Sequence, residues 1–298
     1  MKTKKMTIPR QSLLVGLFSI ISLCAFSQKV DTVKVSSIDE FFEAIASNKV
    51  VLLEEGNYDV SKLDADKKTN SARMQKIQLN SETFGNAELV IKGVSNLKII
   101  GIGKKQSKIF SPDITVNVLK FNNCKNIVLE NLEIGHKATQ GCEGDCMWNI
   151  IDISESENFA IKKSLIYGIG ASGVSADNVK KLSLSNTTIT GLSSDLFYLN
   201  NCMNTSIDSC TFTKTSGGVS VIHSLGLTIS NSEFSDNTKD YPGATTYFFD
   251  INASTNIKII KSTIESNKAT YFVKTSTLIN IDTDTDFKDN KFFGTFEN

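Results

Sequence analysis

From Asn96 onward the chain alternates apolar and polar residues in short bursts, and one burst recurs. Its copies read Asn96-Leu-Lys-Ile-Ile, Asn126-Ile-Val-Leu-Glu-Asn-Leu-Glu-Ile, Asn158-Phe-Ala-Ile-Lys-Lys-Ser-Leu-Ile and Lys181-Leu-Ser-Leu-Ser-Asn-Thr-Thr-Ile. Four more follow: Asn204-Thr-Ser-Ile-Asp-Ser-Cys-Thr-Phe, Gly226-Leu-Thr-Ile-Ser-Asn-Ser-Glu-Phe, Asn256-Ile-Lys-Ile-Ile-Lys-Ser-Thr-Ile and Asp284-Thr-Asp-Phe-Lys-Asp-Asn-Lys-Phe. Successive starts lie 30, 32, 23, 23, 22, 30 and 28 residues apart, a minimal period with tolerated insertions. Such a period marks a solenoid in which each repeat is one turn. Three residues after each start stand Ile99, Leu129, Ile161, Leu184, Ile207, Ile229, Ile259 and Phe287. Eight residues after it, from the second copy, stand Ile134, Ile166, Ile189, Phe212, Phe234, Ile264 and Phe292. Alternation with β-branched and aromatic residues predicts strands. Between the two columns lies a polar corner at Asn131, Ser164, Asn186, Asn231, Ser262 and Asn290, where short side chains bond a turning backbone. Strand, tight corner, strand, variable loop and third strand make one coil. The predicted class is all-β, a right-handed parallel β-helix of about 8–10 coils whose regular part spans residues 96–298.

Ahead of the coils, Ser37-Ile-Asp-Glu40 is a capping-box pattern with Ile38, Phe41, Phe42 and Ile45 at helical spacing. It predicts a short N-terminal capping helix over residues 37–47, covering the open end of the first coil. Residues 50–60 read as an entry strand with Gly56 in its turn, and residues 61–86 as a polar excursion. Phe287, Phe292, Phe293 and Phe296 are expected to plug the last coil.

Residues 1–27 carry Lys2, Lys4, Lys5 and Arg10, an apolar run Leu13–Phe26, and a small-x-small site Ala25-Phe26-Ser27 before Gln28. That is a signal-peptide pattern, so export is expected, to the periplasm, cell surface or medium, leaving a single domain over 28–298. The run is shorter than the roughly 20 residues of a spanning helix, so no transmembrane segment is expected. Leu23 is bulkier than a lipobox before Cys24 allows. Lysine plus arginine and aspartate plus glutamate both number 32, so no basic surface recommends nucleic acid. Of the cysteines left after cleavage, Cys142 and Cys146 form the candidate disulfide, while Cys124 and Cys202 stack about 14 Å apart at the spacing of a β ladder.

The third strand of each coil begins Val118-Leu-Lys-Phe, Ile150-Ile-Asp-Ile, Gly173-Val-Ser-Ala, Leu196-Phe-Tyr-Leu, Val219-Ser-Val-Ile or Phe248-Phe-Asp-Ile. Its outward residues form a stack: Lys120/Asn122, Asp152/Ser154, Ser175/Asp177, Tyr198/Asn200, Ser220/Ile222 and Asp250/Asn252. The insertions fall just before this strand, and long loops beside a repetitive face build a groove suited to a repetitive polymer. Asp152 and Asp177 lie on neighbouring coils with Cα atoms roughly 8 Å apart by strand geometry. That separation fits a calcium ion between carboxylates, or two acids flanking a glycosidic bond. Two solvated aspartates on a polar face are the plain alternative. The loop 135–149 gathers His136, Cys142, Glu143, Asp145, Cys146 and Trp148, the sole tryptophan. Histidine can shuttle protons, the carboxylates can bind a cation or act as base, and the indole can stack on a sugar. A loop stapled by Cys142–Cys146 is the alternative. Tyr198 and Asn200 are candidate ligand contacts; oligomeric state is not legible.

The entry strand, the Asn-Leu-Lys-Ile-Ile-Gly-Ile-Gly stretch at 96–103 and the coil phrases together resemble the pectate-lyase-like superfamily of secreted β-helix repeat proteins, over residues 36–298. That resemblance implies polysaccharide partners and lyase, hydrolase, esterase or epimerase chemistry. The superfamily's catalytic signatures do not transfer. Arg10 and Arg73 are the only arginines, so the solenoid lacks the lyases' arginine base. The paired Asp-Asp, Gly-His-Gly and Arg-x-Lys of polygalacturonases are absent, as is the Asp-Phe-Ile-Phe-Gly-like run of pectin methylesterases. A lysine base with calcium, as some β-helix lyases use, would fall to Lys120 or Lys162. Three functions stay open: polysaccharide binding along the groove without catalysis, a lyase or glycoside hydrolase with an unfamiliar acidic site, and a structural or adhesive surface protein.

Overall fold

The computed structural model describes residues 30–63, 77–80, 88–137, 148–239 and 243–296. The leader expected at 1–27 and the loop residues Cys142, Glu143, Asp145 and Cys146 lie outside the described residues.

Among the described residues three sheets of ten, nine and eleven strands run along the solenoid, and each regular coil contributes one strand to each. Neighbouring coils pair in parallel, with Ile99 opposite Leu129, Leu129 opposite Ile161, and Ile161 opposite Leu184. The second apolar column pairs likewise, Ile134 with Ile166, Ile189 with Phe212, and Phe212 with Phe234. Stacking like on like excludes water from the interior, and Ile134, Ile166, Ile189, Phe212, Phe234 and Ile264 are each 0% exposed. Phenylalanines add oriented ring contacts there, Phe197–Phe212 at 5.1 Å and Phe212–Phe234 at 4.6 Å.

The corners turn on left-handed residues. Asn131, Lys163, Asn186, Ser209, Asn231 and Lys261 form one column with φ between 48° and 56°. Asparagine tolerates this region because its short amide bonds the local backbone. The expected corner column mixed two positions: Ser164 and Ser262 follow the left-handed residue and are buried. Ser164 Oγ accepts from Leu132 N–H at 3.2 Å and donates to the Lys162 carbonyl at 2.7 Å. Ser262 does the same for Ser232 N–H and Ile260 O. A second left-handed column, Asn48, Asn96, Asn126 and Asn158, passes side-chain amide hydrogen bonds from coil to coil at 2.7, 2.7 and 2.8 Å.

Helix α1 (Ile38–Ala44) stands where the capping helix was expected, one residue shorter at its N-terminal end and three at its C-terminal end. Ser37 Oγ accepts from Glu40 N–H, and Glu40 reaches back to Ser36 N–H at 2.7 Å. Phe41 and Phe42 are buried, and α1 packs on strands Asp31–Val35, Lys49–Leu53 and Asn57–Asp59. The excursion expected at 61–86 contains a strand, Ile77–Asn80, antiparallel to Glu88–Lys92.

The last repeat departs from the expected register. Ile281, not Phe287, pairs with Ile259, and Phe287 pairs with Ile264. Phe292 pairs with Ala269 in the third sheet and packs on the core, whereas Phe293 is 87% exposed and plugs nothing. The side chain of Phe296 lies outside the described residues.

Cys124, Cys202 and Cys210 are buried free thiols; for Cys124 and Cys202 their stacking distance requires it. Burial pushes the thiols of Cys202 and Cys210 up to about 11, so neither is a nucleophile near neutrality.

Phe212→Ala should lower unfolding free energy by about 3–5 kcal/mol, and outward Thr211→Ala by less than about 0.5 kcal/mol. Urea unfolding followed by far-ultraviolet circular dichroism checks both.

Candidate functional site

The third sheet presents two outward columns whose order follows from its parallel register. Lys120, Asp152, Ser175, Tyr198, Ser220 and Asp250 face one another in sequence along the solenoid axis. Beside them run Asn122, Ser154, Asp177, Asn200, Ile222 and Asn252. Each step is one coil, about 4.8 Å, so a chain laid along the axis meets a new pair of side chains at that interval.

Asp152 and Asp177 belong to adjacent columns of neighbouring strands, because Asp152 opposes Ser175 and Ser154 opposes Asp177. Their surroundings differ. Lys120 Nζ lies 3.2 Å from Asp152 Oδ2, with the aspartate side chain only 18% exposed. Burial holds the Asp152 carboxyl above the usual carboxylate range, Lys120 partly opposes the rise, and the charge of Asp177 adds to it. Asp177 is exposed and its Oδ1 accepts from Asn200 Nδ2 at 2.7 Å. One carboxyl thus sits sheltered beside an ammonium and the other open beside an amide. Tyr198, 37% exposed, is the large aromatic of the column.

Among the described residues no group of three or more His, Cys, Asp or Glu could hold a metal ion, and Asp152 is already matched by Lys120.

His136 is positioned differently from its expected catalytic role. It ends strand Leu132–His136 and is 2% exposed. Its Nδ1 meets the Ile169 carbonyl and its Nε2 lies 2.9 Å from the Val116 carbonyl. Both ring nitrogens face backbone carbonyls, and burial outweighs their pull and lowers the imidazole's affinity for a proton. The ring braces the segments leading into two third-sheet strands and offers no nitrogen to a groove ligand. Trp148 is half-buried, and its carbonyl accepts from Ala171 N–H at 2.8 Å. Glu143, Asp145, Cys142 and Cys146 lie outside the described residues.

A second polar cluster escaped the sequence analysis. Asp195 accepts from Ser220 Oγ at 2.5 Å and Gly218 N–H at 3.2 Å, and Lys239 Nζ lies 3.2 Å away. Lys239 is 8% exposed and enters from the last insertion, so its partnership with a residue 44 positions earlier has no local signature. It ties that excursion to the strand carrying Tyr198. A concavity of about 610 Å³, lined by Asn256, Lys258, Ser276, Leu278 and Ile281 among others, belongs instead to the first sheet at its last coils.

A sequence profile described as the right-handed β-helix region matches residues 90–242 and 149–298. No curated protein matches the chain. Among solved structures, a pectate lyase from Paenibacillus sp. 0602 aligns at 13% identity over 89% of this chain and 79% of that one, with a TM-score of 0.51. The catalytic domain of a GH87 α-1,3-glucanase in complex with nigerose aligns at 12% identity over 90% and 56%, with a TM-score of 0.53. At such identities these likenesses establish the fold.

The raised Asp152 carboxyl makes a pH prediction. Its native state holds the proton more tightly than the unfolded state, so ionised Asp152 costs stability at neutral pH, and the cost fades as pH falls through its native titration. Asp152→Asn should therefore raise the unfolding midpoint at about pH 7 and leave it unchanged at about pH 3. Thermal unfolding at the two pH values measures this.

Proposed function

The chain belongs to the right-handed β-helix family, and on that premise we propose that it binds an extended polysaccharide along the outer face of its third sheet. The observation that carries this reading is the register of that face. Hydroxyl, amide, carboxylate, ammonium and one exposed tyrosine recur at coil spacing in two adjacent columns. Sugar polymers expose hydroxyls that exchange donors and acceptors with such side chains, and their rings stack apolar faces on tyrosine. The contacts assigned here are Tyr198, Asn200, Ser175 and Asp177, with Trp148 at the margin. The leader-like pattern at 1–27 supports export, which would place the groove where extracellular glycans are met.

A second reading, cleavage of the bound polymer, is favoured by the contrast between Asp152 and Asp177. A sheltered carboxyl whose hold on its proton is strengthened by burial can protonate a leaving oxygen, and an open carboxylate can activate water. Against it stands Lys120, which favours the ionised form of Asp152.

The test is binding of a panel of uronic and neutral polysaccharides to the chain from Gln28, with products followed as unsaturated uronates and new reducing ends. Saturable binding without products supports the binding reading, and Tyr198→Ala should weaken it roughly tenfold, about 1.4 kcal/mol. Products abolished by Asp152→Asn and Asp177→Asn would replace it with the catalytic reading. No binding to any glycan would overturn both.

A further inference from the structure

The two ends of the solenoid are finished differently. At the N-terminal end α1 covers the first coil, with Phe41 at 0% and Phe42 at 7% exposure. At the other end, strand Asp286–Lys288 is the terminal strand of the nine-stranded second sheet. Its Phe287 continues the apolar column of Ile264, yet is 39% exposed where the earlier members are 0%. Among the described residues no strand covers it on its far side.

The backbone of this strand adds a direction. Asp286 N–H donates to the Ser262 carbonyl and the Lys288 carbonyl accepts from Ser266 N–H, both at 2.9 Å. In a parallel ladder alternate residues turn both backbone groups toward the same neighbour. Asp286 and Lys288 face the preceding coil, so the N–H and carbonyl of Phe287 face the open edge.

From these observations we infer that the last coil is the interface of a two-fold, end-to-end dimer, in which Asp286–Lys288 pairs antiparallel with the same strand of a second copy. A two-fold axis normal to the second sheet at Phe287 preserves inward and outward faces. It makes Phe287 of each copy exchange its N–H and carbonyl with the other, the close hydrogen-bonded pair of an antiparallel ladder. The same axis sets Asp286 opposite Lys288 of the second copy, and Lys288 opposite its Asp286. Within one chain these two side chains already lie 3.3 Å apart on the outer face, so the pairing exchanges partners without burying an unmatched charge. The two Phe287 rings meet inside, joining the cores. Isologous pairing of this kind closes on itself and forms no filament. The tripeptide Asp-Phe-Lys is self-complementary about its centre. The charges of an ordinary guarded edge repel a copy, and these attract one.

The experiment is sedimentation equilibrium of the chain from Gln28, with charge reversals at two exposed positions. Wild type should reach twice the monomer mass at micromolar concentration. Asp286→Lys sets lysine against lysine and Lys288→Asp sets aspartate against aspartate, so each should raise the dissociation constant at least about tenfold. The double exchange Asp286→Lys with Lys288→Asp restores complementarity and should restore the dimer. Circular dichroism of each variant checks folding. A wild type that stays monomeric, single reversals without effect, or a double exchange that remains monomeric would each overturn the inference.

Discussion

Everything in this molecule depends on the parallel backbone ladder that joins coil to coil. Each coil must place its N–H and carbonyl groups opposite those of the next, about 4.8 Å away, and that spacing leaves no freedom in register. Side chains therefore stack in columns, and a column is stable only when its members are compatible with themselves. Apolar columns meet this by size, as Ile134, Ile166 and Ile189 do. Polar columns meet it by passing hydrogen bonds along. Inside the corners, Thr215 N–H bonds the Asn237 side chain, and Asn237 and Asn267 continue the relay to Asn290. Among the described residues no buried side-chain nitrogen or oxygen lacks a hydrogen-bond partner.

That same rule explains how much of the fold was legible. A column must repeat, and repetition in space is repetition in sequence, so Ile99, Leu129 and Ile161 disclose the first sheet without further help. Ser37 and Phe41 disclosed α1 because capping and amphipathic spacing are local. The polar corner was less legible. Asn131 and Ser164 look interchangeable as short polar residues, but one takes the left-handed backbone and the other turns inward to bond a carbonyl two residues back. The distinction is one of φ, which residue type only biases.

The candidate site was legible as an address and less so as chemistry. The alternation of the third strand placed Asp152, Asp177, Tyr198 and Asn200 on one face, because strand periodicity decides which side a residue takes. What each carboxyl experiences depends on its neighbour across the ladder, and the sequence distance to that neighbour varies with the inserted loop. Lys120 lies 32 residues before Asp152 and Asn200 lies 23 after Asp177. Neither pairing follows from residue type alone, yet each sets the character of its carboxyl. His136 misled for the same reason. Its sequence neighbours suggested an exposed loop, while its spatial neighbours are the carbonyls of Val116 and Ile169, brought by the coils on either side.

The terminal coil shows what happens when the constraint is halved. An interior strand is disciplined from two sides, so a residue out of step would disturb two ladders; the last strand answers to one. The sequence drifts accordingly. The first sheet ends in the two-residue strand Asn280–Ile281, and Asp282 supplies the side chain that holds Lys261 N–H where earlier coils use backbone. Asp284-Thr-Asp-Phe imitates the repeat phrase while its phenylalanine serves the second column, because Ile281, six residues earlier, already fills the first. The imitation deceives a reader of periods, since a period is evidence of register only where both neighbours enforce it. The end of the solenoid is thus where repetition is least informative, because Asp286, Phe287 and Lys288 keep their column while answering to a described neighbour on one side only.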